Sequence, residues 1–298
     1  MVCEGKANGK VVLLGEHAVV HGVQALAASI GVGASASAVA AEKPLLSVAD
    51  ASTQWQLDVD SGPSRVFRAL CEAIGVCARA TAQVDVPTSA GLGSSACLGV
   101  ALTRALLSLR GGDWGDADVA EVAAVWEREF HGNPSGIDVA VAVYGGCIEF
   151  SRAEGVKHVQ LAHAIPLCIG DTGIRSSTRE MVTQVSEWLR QQADGGREVL
   201  EGIRACVRSA RVPLMEGDFG ALSRAMNENQ RWLSVLGLGT PESDTLCCVA
   251  MSAGALAAKI TGAGRGGCVI ALAPGKQQQV VHAWQAAGFR AWMVDAGL

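Results

Sequence analysis

The chain has 298 residues, 49% hydrophobic and 18% charged, enough to bury a sizeable core and, by length, to form two domains. Lys+Arg 24 against Asp+Glu 29 gives a net charge of -5, and the lysines form no run. Without clustered positive charge to displace counterions, nucleic acid is not an expected partner. No apolar stretch of ~20 residues is present, so no membrane span is expected. The first ten residues lack the apolar core of a signal peptide, which points to the cytoplasm. The ten cysteines include no Cys-x-x-Cys pair, and most lie inside apolar runs. They read as reduced thiols acting as small core hydrophobes.

Taken along the chain, Lys10 to Gly15 reads as a short strand that ends at a glycine. Ala25 to Ala41 alternates enough for one or two further strands. Ser64 to Ile74 has helical spacing. Gln83 to Pro87 reads as a strand running into a glycine-rich turn, and Ser94 to Leu109 as a helix. Asp118 to His131 is a further predicted helix, which stops at Gly132-Asn133-Pro134. The apolar run Val139 to Val143 is expected to be a buried strand with Asp138 at its mouth. After a strand at Gly146 to Phe150, turn residues and charge gather at Ser151 to Lys157. A domain boundary is placed there, giving 1–157 and 158–298. Ala164 to Gly170 reads as a strand, followed by helices over 177–192, 197–210 and 218–236. Leu256 to Ile260 leads into a second glycine cluster, Thr261 to Gly267, then a strand at Cys268 to Ala273 and a last helix at Gln277 to Ala287. The pattern is mixed α+β.

Five groups of residues are candidates for chemistry. Gly91-Leu92-Gly93-Ser94-Ser95 sits between a strand and a helix, where free backbone N–H groups and hydroxyls suit an anion. It is not a Walker A loop, because no lysine follows the glycines, and an ordinary capped turn is the plainer reading of one such loop. The cluster from Thr261 to Gly267 fits a backbone that must approach something closely, or a flexible hairpin. Glu127 and His131 stand at i and i+4 on one helical face, a spacing that suits a metal, a salt bridge or a helix cap. Asp138 and Lys10 each flank a buried segment, where a charge must be paired or used unless it simply faces water. Glu16-His17 follows the first strand and is uninformative alone.

Together these segments resemble the GHMP kinase superfamily, and within it the mevalonate kinases, from about Gly5 to Leu272. The stretches Gly9 to Gly22, Gly91 to Ala96, His131 to Asp138 and Lys259 to Gly264 match its motifs in order. The resemblance implies a two-domain GHMP kinase fold: an N-terminal ATP-binding domain like the second domain of ribosomal protein S5, then a ferredoxin-like C-terminal domain. It implies phosphorylation of the 5-hydroxyl of mevalonate by ATP. Asp138 would be the catalytic aspartate, with Lys10 beside it. Ala90, Gly91, Leu92, Gly93, Ser94 and Ser95 would hold the triphosphate, and Ser95 and Glu127 would bind Mg²⁺. Glu16, His17, His131 and Gly264 would line the substrate pocket.

Departures are Ser89 where a glycine commonly stands, Arg265 in place of a glycine of the third motif, and Val139 where an asparagine often follows the aspartate. Alternatives are a kinase of a related precursor such as phosphomevalonate, a non-catalytic metabolite sensor, or a plain structural protein. The last leaves both glycine loops without a purpose. The assembly stays open, a homodimer among the options.

Overall fold

The computed structural model describes residues 1–50, 54–56, 62–131 and 134–297, and the chain divides into two compact units. The first comprises residues 1–10, 32–88 and 93–145; the second comprises 11–31, 89–92 and 146–298. Strands β1 (Cys3–Leu14) and β2 (Ala25–Ala40) contribute residues to both.

In the first unit, the later half of β2 pairs antiparallel with β5 (Ala78–Val84), in register Ala34↔Val84 to Ala40↔Ala78. Strand β3 (Leu45–Asp50) lies parallel to β5, and β4 (Gln54–Gln56) pairs with β3. A parallel pair needs a crossover connection. Helix α1 (Gly62–Ile74) supplies it, burying Val66, Phe67, Leu70, Cys71 and Ile74. The inward residues of β2 and β5 are nearly all alanine (34, 36, 38, 78, 80 and 82). Helix α2 (Ser94–Arg110) is buried on almost every side, as a central core helix should be. At Gly5 a Cβ would stand 2.2 Å from the Ala101 carbonyl oxygen, so only glycine lets β1 lie this close to α2. Helices α3 (Asp116–His131) and α4 (Ile137–Tyr144) complete the unit.

In the second unit the early half of β2 pairs with β6 (Cys147–Ser151), which pairs with β7 (Gly155–His158). A four-stranded antiparallel sheet has the order β11 (Arg290–Ala296), β8 (Ile165–Asp171), β10 (Cys268–Leu272), β9 (Ala257–Thr261). Helices α5 (Thr178–Gln191), α6 (Ala193–Glu216), α7 (Phe219–Val235), α8 (Pro241–Ser252) and α9 (Gln277–Ala286) belong to the same unit. Trp284 is fully buried against α8, its indole N–H donating to the Leu246 carbonyl at 2.8 Å. No described helix is long and apolar enough to cross a membrane.

Several expectations need correction. The run Val139 to Val143 is part of helix α4, not a strand. Its β-branched alternation favours a strand locally, but a glycine with positive φ on each side limits it to two turns, buried as a helix on five successive residues. Lys10 does not open β1, which starts at Cys3 and buries every second residue through small Cys, Gly and Ala side chains that hydropathy does not register. The strand expected at 83–87 ends at Val84. Strands β3, β7 and β11 and helix α8 were not foreseen, although Thr240 and Ser243 cap α8 reciprocally with Pro241 at its first position.

Candidate active site

Four of the expected residues meet inside the first unit. Helices α2 and α4 each begin directly after a glycine in the left-handed region, Gly93 (φ 76°) and Gly136 (φ 92°). This puts Ser95 and Asp138 in the first turns, where N–H groups are unsatisfied and negative charge is favoured. Lys10 Nζ lies 2.9 Å from Asp138 Oδ1, with the lysine side chain 4% exposed and the aspartate 35%. The lysine stem runs over Gly93, where a Cβ would sit 3.0 Å from Lys10 Cγ. Gly93 therefore answers two demands, the backbone turn and the room for the ammonium.

Beside this pair, Ser95 Oγ donates to Glu127 Oε1 at 2.8 Å, and Trp126 Nε1 donates to Ser95 Oγ at 3.3 Å. Trp126 fits because position 99 is glycine; a Cβ there would meet the indole Cδ1 at 2.5 Å. Burial, and then the negative charge of Asp138, push the Glu127 carboxyl up to about 7, while Ser95 and Lys10 pull it down. A buried carboxylate raised by a neighbouring carboxylate gains from an added cation. Among the described residues no three His, Cys, Asp or Glu form a metal cluster. Ser95 and Glu127 instead offer two hard oxygen donors, the partial set that Mg²⁺ takes when phosphate oxygens supply the rest.

Glu16 and His17 occupy the second unit. Glu16 is 3% exposed, and its carboxylate pairs with the Nζ of fully buried Lys259 on β9 while accepting from Asn229 Nδ2 on α7 at 3.1 Å. Burial lowers the Lys259 ammonium and Glu16 opposes it. Lys259 Nζ also donates to the Ile260 carbonyl at 2.7 Å. A buried pair of this kind contributes little net stability, yet removing one partner costs ~3–5 kcal/mol, so it fixes register more than it adds stability. Glu16 is thus committed internally. His17 has φ 58°, and its Nε2 bonds the Ala263 carbonyl at 2.8 Å. A carbonyl only accepts, so Nε2 carries the proton and Nδ1 is bare. Nδ1 is buried with no partner among the described residues, and burial lowers the imidazole to about 4. At neutral pH His17 is an uncharged acceptor.

The two glycine loops press together within this unit. A Cβ at Gly91 would lie 2.7 Å from the Thr261 carbonyl oxygen, one at Gly262 2.8 Å from Gly91 Cα, and one at Gly267 2.8 Å from the Ala90 carbonyl oxygen. Close backbone approach between the two loops accounts for Gly91, Gly262 and Gly267. At Gly264 a Cβ would meet Leu238 Cβ at 2.8 Å. Its carbonyl accepts from Ser176 Oγ at 2.7 Å.

Of the expected residues, Lys10, Asp138, Ser95 and Glu127 come together, and Ala90 and Gly91 meet the third motif. The side chain of His131 lies outside the described residues. Asn229, Lys259, Trp126 and Gly99 received no role from the sequence. A charged Lys259 inside the apolar run Ala257 to Ile260 was the available signal for one of them.

The descriptions "GHMP kinases N terminal domain" and "GHMP kinases C terminal" match residues 63–146 and 210–290. A mevalonate kinase of Thermococcus sibiricus is 34% identical over 313 residues, covering 95% of this chain and 92% of that protein. The chain belongs to the GHMP kinases. A mevalonate kinase of Aeropyrum pernix is 32% identical, covering 89% of this chain and 87% of its own. The GHMP fold also relates it to the structure of L. major mevalonate kinase in complex with R-mevalonate, at TM-score 0.86 and 28% identity, over 98% of this chain and 94% of that one.

Proposed function

We propose that this GHMP kinase transfers the γ-phosphoryl group of ATP to the 5-hydroxyl of mevalonate. The Lys10–Asp138 pair carries the reading: a 2.9 Å ion pair at the start of α4, its lysine buried and its aspartate half-buried. Asp138 accepts the hydroxyl proton, and Lys10 stabilises the oxygen as it becomes nucleophilic. Little covalent chemistry falls to the protein in phosphoryl transfer, so most of the remaining work is positioning and charge neutralisation. Residues Ala90 to Ser95 supply backbone N–H groups and hydroxyls to the phosphates. Ser95 and Glu127 would hold Mg²⁺, which when bound neutralises phosphate charge.

Glu16, His17, His131 and Gly264 are assigned to the acceptor's side, Glu16 as a carboxylate already held by Lys259 and Asn229. The bare, buried Nδ1 of His17 suits a hydroxyl donor of the acceptor and not its carboxylate, because the ring is neutral. Residues 1–157 are assigned to the ATP-binding domain and 158–298 to the C-terminal domain. The names of the relatives support mevalonate as the acceptor. Purified protein with Mg·ATP should release ADP rapidly with mevalonate and far more slowly with galactose or homoserine. Faster turnover with phosphomevalonate would replace the acceptor, and no turnover with any alcohol would favour a ligand sensor.

A further inference from the structure

Position 265 breaks the run of glycines in the third motif with an arginine, and the backbone there keeps the left-handed conformation (φ 52°) that favours glycine. The strain is retained because the residue is held twice. Its backbone N–H donates to the Leu238 carbonyl at 2.7 Å, and its Nε donates to the Gly237 carbonyl at 2.9 Å. Those two carbonyls belong to the end of α7, which closes as a Schellman turn. Gly237 N–H donates to Ser234 and Leu238 N–H to Leu233, with Gly237 left-handed at φ 68°. Arg265 therefore grips a rigid helix end at its negative pole, where a guanidinium is favoured.

The loop it grips has little other freedom. Gly264 rests on Leu238, and Gly266 approaches the Ile174 carbonyl, from which a Cβ would stand 2.8 Å. Gly267 and Gly262 abut Ala90 and Gly91. A shift of the third-motif loop would thus be passed directly to residues 90 and 91.

From this we infer that Arg265 is a positioning residue for nucleotide binding: by clamping the third motif to the end of α7, it sets the backbone of the Ala90–Leu92 loop that receives the phosphates. The inference rests on the assignment of that loop to ATP, and not on the identity of the acceptor.

Titration calorimetry with Mg·AMP-PNP tests it on the full chain, beside steady-state kinetics and melting curves. Arg265→Ala should weaken the analogue about tenfold, the low end for losing a charge-assisted hydrogen bond. KM for ATP should rise by a similar factor, with kcat and KM for mevalonate within about twofold. Arg265→Gly should bind as weakly as the alanine variant yet melt at or above the wild-type temperature, since glycine relieves the left-handed strain. Arg265→Gln places its Nε2 at the chain position of the arginine Nε and should recover most of the affinity, whereas Arg265→Lys should not. Recovery by lysine but not glutamine would make the role a direct charge on phosphate and overturn the proposal. Unchanged affinity in the alanine and glycine variants would overturn it too, as would a wild-type protein that binds no nucleotide. The calorimetric arm reads nucleotide alone, so it decides the proposal whichever alcohol is phosphorylated.

Discussion

Asp138 serves a helix and a lysine at once. In the first turn of α4 its charge meets unsatisfied N–H groups, and its carboxylate pairs with Lys10. Asp138→Asn keeps the shape but cannot take a proton. We expect kcat to fall by ~10²–10⁴, with nucleotide and mevalonate affinity within about tenfold. Loss of negative charge at the helix start should cost ~0.3–1 kcal/mol, and leaving the buried Lys10 ammonium without its counter-charge adds to that. Measuring melting temperature and kcat on one preparation checks both; a stable variant with near-normal turnover would return Asp138 to a capping role.

Glu127 poses the complementary question, since its carboxyl is raised from 4.5 to about 7. The folded state then holds a proton that the unfolded chain has lost between those values. Stability without metal should therefore decline as pH rises from about 4.5 to 7, by up to ~3 kcal/mol, and level off above. Metal binding needs the carboxylate, so apparent Mg²⁺ affinity should climb with pH and level off above 7. Glu127→Gln should remove both trends and raise the Mg²⁺ needed for activity. Melting curves from pH 4 to 8 and Mg²⁺ titrations at the same pH values test this; a flat stability profile in wild-type protein would count against a buried, ionisable Glu127.

At the scale of elements, glycines decide which helices can lie against which partners. Gly99 on α2 makes room for Trp126 on α3, and Trp126 in turn steadies Ser95, the hydroxyl that binds Glu127. Gly99→Ala would put a Cβ 2.5 Å from the indole, so the ring or the helix must move. Overpacking of this kind costs ~1–3 kcal/mol. We expect a lower melting temperature together with a higher Mg²⁺ requirement, read from the same titration. A stability loss with unchanged Mg²⁺ dependence would show that the packing does not reach the proposed metal ligands. Helix α4 makes the related point that element type is not local: Val139 to Val143 has strand-like alternation, and flanking glycines and burial on several faces overrule it.

For the molecule as a whole, the ten cysteines report on folding. All are free. Cys3, Cys71, Cys97, Cys147, Cys168, Cys206 and Cys268 are buried, while Cys77 and Cys248 are exposed and Cys247 is intermediate. Burial pushes the Cys97 and Cys147 thiols up to about 12 and Cys71 and Cys206 to about 11, leaving almost no thiolate at neutral pH. Alkylation of native protein at pH 7.5 should mark Cys77 and Cys248 within minutes, and the buried thiols only after unfolding. Peptide mass mapping checks this; early labelling of Cys97 would mean that the first turns of α2 open readily.

The sequence by itself determined the family and singled out the residues proposed here as the reacting groups. Lys10, Ser95, Glu127 and Asp138 stand in ordered motifs, and chemistry restricts which residue types can serve there. It also determined the long amphipathic helices, whose periodicity is written locally in α1, α3 and α7. Only the tertiary structure decided that Glu16 is spent on Lys259 and Asn229, because the three positions lie more than 200 residues apart at their extremes and nothing local couples them. It alone decided that the two glycine loops face each other and that Arg265 is held by the end of α7. Close contact between distant backbones depends on atoms that carry no side-chain signal, and a sequence records the glycine but not what it makes room for.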